Sequence, residues 1–181
     1  MSPAVALDRT ELLTFRLRDA LYALPVTRVH EVLEYSLVTR VPATPPYVLG
    51  VIDLRGRMVP VVDLSAKLDL GACAIGRRSC IVVTEVELAG LEPRATAGIL
   101  VEEIGGLIDL VPGHEAATHG GAQPADVCWI ELDRGDGAPV RLLDVDAAMR
   151  DVGGAAGASR YNDPRLGASE RYPDGLRPEA R

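Results

Sequence analysis

Aromatic residues are scarce, at 4% of a chain that is 48% hydrophobic, so the interior has to be built from Val, Ile, Leu and Ala. Such a composition favours strands, because β-branched side chains suit a pleated surface. Lysine is almost missing, Lys67 being the only one, and 19 basic residues face 26 acidic ones. The formal net charge of -7 excludes a face that neutralises phosphates, which sets nucleic acid aside as a partner. Three cysteines, Cys73, Cys80 and Cys128, form no C-x-x-C pair and leave an odd thiol, implying neither a disulfide framework nor a zinc site. Met1 to Glu11 lack a basic patch followed by an apolar stretch, and no run approaches the roughly 18 apolar residues of a membrane span. The expectation is a cytoplasmic chain with no direct membrane insertion, recruited to membranes through partners.

Chemistry-bearing motifs are missing as well. There is no G-x-x-x-x-G-K-S/T loop, no G-x-G-x-x-G between a strand and a helix, and no G-x-S-x-G turn. His30, His114 and His119 do not share the i, i+4 spacing that would put two imidazoles on one helical face. No cofactor, metal or catalytic residue is expected. Asp53 and Asp63 are a carboxylate pair that adjoining strands could bring together for acid–base work; strand-end aspartates more commonly cap turns.

A length of 181 residues suits one domain with room for two small lobes. Alternation predicts a hairpin from Leu12–Leu17 and Leu21–Leu24 around Arg18-Asp19-Ala20. Val26, Val29, Val32 and Leu33 then recur at helical spacing, as a short helical turn or a twisted strand edge. Pro42, Pro45 and Pro46 mark a surface connection. Gly50–Leu54 and Met58–Leu64 read as two strands joined through Arg55-Gly56, and Ser65–Leu68 as a helical turn. Further hairpins are expected from Ser79–Glu87 with Ala97–Val101 across the loop Leu88–Arg94, and from Cys128–Leu132 with Val140–Asp144 across Asp133–Gly137.

Two stretches are echoed later in the chain. Ala23-Leu24-Pro25-Val26 with Val29 and Val32 returns as Gly98-Ile99-Leu100-Val101 with Ile104 and Leu107; Pro60–Leu64 returns as Pro139–Val145. A period of about 75 to 80 residues is too long for a solenoid repeat and implies two similar β-lobes. Residues 1–10 are expected to be a flexible N-terminus and 11–150 the folded domain. Asp151–Arg181, poor in large apolar residues, should be a flexible tail.

Glu11–Leu17, Tyr22-Ala23-Leu24-Pro25, Val29-His30-Glu31-Val32, and above all Thr44–Gly56 followed by Val59–Leu64 resemble the CheW-like chemotaxis coupling proteins. That resemblance implies an all-β fold of two SH3-like five-stranded barrels packed together with short helical turns. It also implies a non-enzymatic adaptor between the cytoplasmic tips of chemoreceptors and the regulatory domain of a CheA-type histidine kinase. Carried onto this chain, the partner-binding residues are Val29 and Glu31 on the first lobe, Ile104 and Leu107 on the second, and Arg55 with Gly50 and Gly56 at the central hairpin. Arg55 at a hairpin tip would offer a planar fork to a carboxylate or carbonyl. Ile104 and Leu107 read equally as core or as groove for a partner helix. The chain departs from the family at Trp129-Ile130-Glu131, where a Gly-containing strand is common, and at Asp53, where Asn is common. Alternatives of other kinds are a paralogous scaffold serving pili, surface motility or cyclic-dinucleotide output, and a small acidic ligand-binding barrel or enzyme built on Asp53 and Asp63.

Overall fold

The computed structural model describes residues 10–36, 38–42, 44–87, 95–110, 129–132, 139–149 and 152. The N-terminal and C-terminal segments, the loops Leu88–Arg94 and Asp133–Gly137, His114, His119 and Cys128 lie outside them.

Strands β1 (Thr10–Leu17) and β2 (Ala20–Pro25) form the first hairpin, and one 3-10 turn, Val26–Arg28, passes the chain to β3 (Val29–Glu34). The proline-bearing connection follows, then the hairpin β4 (Val48–Leu54) and β5 (Arg57–Asp63), closed by the one-turn helix α1 (Leu64–Lys67). The second half repeats the plan: β6 (Cys80–Val86), β7 (Ala95–Val101), β8 (Glu103–Leu110), β9 (Trp129–Leu132), β10 (Val140–Leu143) and α2 (Val145–Met149). The strand β8 is not foreseen from sequence, because Gly105-Gly106 interrupts its pattern. No helix among the described residues is long and apolar enough to cross a membrane.

The lobes are not the two halves of the chain. The first sheet has the order β8-β1-β2-β10-β9 and the second β3-β6-β7-β5-β4. Each therefore joins the first two strands of one repeat to the last three of the other. The registers repeat too: Leu142 lies parallel to Ala23 in the first sheet, as Val61 lies parallel to Gly98 in the second. Helix starts correspond, with Asp63 Oδ1 accepting from Ala66 N (3.1 Å) and Asp144 Oδ1 from Ala147 N (3.0 Å).

The helical spacing of Val29 with Val32, and of Ile104 with Leu107, is a β-bulge used twice. Between Thr14 and Phe15 the β1–β8 register shifts by one residue, so that Ile104 faces Phe15 and Leu107 faces Leu13. Between Val29 and Glu31 the β3–β6 register shifts likewise, and Val29 faces Thr84 while Val32 faces Val82. One extra residue, Gly105 or His30, restores the phase of two side chains three apart and turns both to the same face.

Each sheet curls around its own apolar interior, giving two small SH3-like barrels. Leu12, Ala23, Leu110, Leu132 and Val140 fill the first; Ile52, Val59, Val61, Ile81, Val83 and Leu100 fill the second. The largest cluster lies between them, where Leu13, Phe15, Tyr22 and Leu24 of the first sheet meet Val48, Val62, Val82, Ile99 and Val101 of the second, with Val145, Ala148 and Met149 of α2. Burial of this seam and exchange of strands both tie the barrels into one cooperative unit.

Candidate functional site

The β4–β5 hairpin closes on the pair Leu54 and Arg57, and the two residues between them, Arg55 and Gly56, have φ of 55° and 81°. Positive φ at both positions is the type I′ geometry that matches the twist of the strands. Asp53 Oδ1 accepts from Gly56 N at 2.7 Å and pins the turn. Arg55 is thereby held out from the barrel, its side chain 83% exposed, with Nη2 3.6 Å from Glu31 Oε1. An exposed pair at that distance contributes little energy, so Glu31 biases the direction of the guanidinium while leaving it open to a partner. Glu31 stands on β3, at the opposite edge of the same sheet, and only the curl of the barrel brings the two together.

The structure treats the two candidate glycines differently. Gly56 has open space where a side chain would stand. Gly50 is buried at a φ of 144°, and a Cβ there would overlap the Thr39 carbonyl. Thr39 exchanges backbone hydrogen bonds with Val51 (2.9 and 2.8 Å), so the close approach that Gly50 permits is made by the chain's own Thr39 segment.

Val29 and Ile104 are half-buried against the core between the barrels, at corresponding places in the two sheets. Leu107, on the same face as Ile104, is 57% exposed at the rim of that seam. Its counterpart is Val32, 41% exposed, whose spacing fits a helical turn or a twisted strand edge and which stands on the edge strand β3. The candidates thus divide into a charged hairpin tip with Glu31, and apolar rims at the seam.

Trp129 is half-buried against the shared core and meets the Tyr22 ring edge-on at 6.5 Å. Arg141 lays its guanidinium over the indole at 4.4 Å and donates from Nη1 to Tyr22 Oη at 3.2 Å. The departure at Trp129 is therefore accommodated as packing. A further clamp had no local sequence signal: Arg28 donates to Asp146 Oδ1 (2.5 Å) and to the Glu85 carbonyl (2.9 Å), and Asp146 Oδ1 also accepts from Glu87 N (2.6 Å).

The carboxylates considered for acid–base work are engaged by backbone amides. Buried Asp63 accepts from Ala66 N through Oδ1 and from Cys73 N (2.9 Å) through Oδ2, while Asp53 caps the Arg55 turn. Burial, reinforced by Asp63 and Glu102, pushes the Cys73 thiol up to about 12 and leaves it neutral and unreactive. Among the described residues no group of three His, Cys, Asp or Glu side chains is placed to hold a metal ion.

Comparison with known proteins follows the same lines. A family model described as "CheW-like domain" matches residues 11–153. The Chemotaxis protein CheW of Rhizobium meliloti is 33% identical over 131 residues, 68% of this chain and 84% of that protein. The protein of that name in Bacillus subtilis is 27% identical over 140 residues, 77% of this chain and 86% of its own. Protein FrzA of Myxococcus xanthus is 33% identical over 125 residues, covering 64% and 74% respectively. The crystal structure of scaffolding protein TtCheW from Thermoanaerobacter tengcongensis shares the fold, with a TM-score of 0.67 at 23% identity over 78% of this chain and 93% of that one.

Proposed function

This chain belongs to the CheW-like domain family, and from that premise we propose that it is the non-catalytic adaptor joining chemoreceptors to a CheA-type histidine kinase in a chemosensory array. Scaffolding in a chemosensory system is the family's role; the particular coupling is our reading. It works through rigid faces presented to larger neighbours. The observation that carries it is the Arg55 hairpin: a guanidinium fixed by two positive-φ residues and an Asp53 cap, exposed, and lightly directed by Glu31. The fork suits a carboxylate or a carbonyl on a partner. The apolar rims at Val29, Ile104 and Leu107 suit the stripe of an amphipathic helix, as the tip of a receptor hairpin would supply. Binding at each face should be weak alone and strengthened by linkage in the array, where the chain would gather at the membrane through its partners.

Calorimetric titration of the chain with a receptor cytoplasmic fragment and, separately, with a kinase regulatory domain tests this. Arg55→Glu and Leu107→Lys should each reduce binding to at least one partner by about tenfold or more with unchanged melting, since the first sets like charges together and the second presses an unpaired ammonium against an apolar stripe. Undiminished binding of both variants to both partners would sink the assignment of these faces. The similarity to Protein FrzA, at the same identity as to the Rhizobium meliloti relative, favours keeping a second output in view. The same adaptor would then serve pili, surface motility or cyclic-dinucleotide signalling; the receptor it captures separates the two.

A further inference from the structure

Strand β8 is one of the two outer strands of its sheet among the described residues, β9 being the other. An outer strand carries unpaired backbone donors and acceptors along one side and is a template for another chain. Midway along it sits Leu107, at 57% the most exposed of the large apolar side chains described. Toward the end of β8, Asp109 stands directly across from Glu11 of β1, both exposed and neither with a basic partner among the described residues. Like charges placed opposite one another are destabilising, and an arriving cation would relieve that.

The other end of β8 has the opposite character. The loop after α1 is fastened there, by Ala74 N donating to Glu102 Oε1 (3.0 Å) and by Arg78 bonded to Glu103 (2.5 Å). The same loop presents Arg77, exposed and without a carboxylate among the described residues, and Ile75, the next most exposed large apolar side chain after Leu107. So one edge carries an acidic end, an apolar middle, and a basic and apolar end.

We propose that this edge is a self-association face, on which two copies of the chain pair β8 against β8 in antiparallel fashion. A two-fold axis near Leu107 brings the two Leu107 side chains together and sets Arg77 of each copy toward Glu11 and Asp109 of the other. Such an interface is isologous and closes at two copies. The open edges of two strands and the two Leu107 side chains are covered by one operation. If Leu107 also serves a receptor, as proposed above, pairing and receptor docking exclude each other; the pairing itself does not depend on that reading.

Sedimentation velocity of the full chain over a range of concentrations, at low and high salt, tests it without any receptor or kinase. The expected result is a monomer–dimer equilibrium weakened by salt, since exposed charges are screened beyond about 10 Å at 0.1 M. Leu107→Lys should abolish the dimer. Asp109→Arg and Arg77→Asp should each weaken it about tenfold, and the double variant, with the charges exchanged, should recover most of the loss. A chain that stays monomeric at every concentration overturns the proposal. So does a dimer indifferent to Leu107→Lys and Asp109→Arg, or one lost on Val32→Lys at the corresponding edge instead.

Discussion

In the second barrel, the β4 residue across from Val61 is Gly50; in the first, the β9 residue across from Leu142 is Ile130. Gly50 admits the Thr39 segment over its strand, and the edge of that barrel is covered at this point. Ile130 instead holds a half-exposed side chain at the same place. The seams between the barrels differ as well. Beside β3, Arg28 reaches across to Asp146 at the start of α2. At the matching place beside β8, Glu103 turns outward to Arg78, and the residue standing where Asp146 stands is Ser65, buried with its hydroxyl unpartnered in the described structure. Two copies of one plan have diverged in what they cover: the second barrel fastens its edge and its seam, and the first leaves both more open.

Removing the fastening should hurt the second barrel more. The largest effect is expected at Gly50→Val, which combines a φ of 144° with overlap on Thr39 and should cost about 4 kcal/mol or more. Ile130→Gly at the matching site should cost only about 1 kcal/mol. Urea unfolding of both variants measures the gap, and equal losses would break the distinction. Next come the helix caps. Asp63→Ala forfeits the α1 cap and strands the buried Cys73 amide, for about 2 to 3 kcal/mol, whereas Asp144→Ala loses an exposed cap worth about 1 kcal/mol.

The seam clamp is smaller. Arg28→Ala should cost about 1 to 2 kcal/mol, because its side chain is mostly shielded and holds both a carboxylate and a carbonyl. Arg18→Ala, an exposed arginine 3.7 Å from Glu102, should lie within about 0.5 kcal/mol of zero. The last effect is nil at neutral pH. The folded state keeps the Cys73 proton up to about 12, whereas the unfolded chain releases it near 9.0. The unfolded state then binds fewer protons, so stability falls as pH rises between those values. Chemical unfolding along an alkaline series should show that slope in the native chain and a shallower one in Cys73→Ala, where only the smaller contribution of Cys80, whose thiol burial also raises, is left.

Much of this difference was invisible in the amino-acid order. The Arg55-Gly56 turn was legible because a two-residue loop between apolar strands has few solutions, and Gly56 supplies one of the positive φ values. The repeat was legible as echoed residues, but its exchange of strands was not, since pairing partners such as β1 and β8 are chosen by packing at long range. Val29 with Val32 and Ile104 with Leu107 looked helical because a bulge imitates a spacing of three. Arg55 was singled out by its turn and the resemblance around it; its contact with Glu31 depends on barrel closure and left no trace in sequence. Arg28 and Asp146 were missed for the same reason, being 118 residues apart.

The most direct test is reconstitution with membrane-anchored receptor fragments and the kinase, measuring how much kinase sediments with the receptors. Kinase recruitment should require this chain, and Arg55→Glu should lose it while melting as the native protein does. Recruitment that proceeds equally well without the chain, or undiminished with Arg55→Glu, would contradict the adaptor role built on that hairpin.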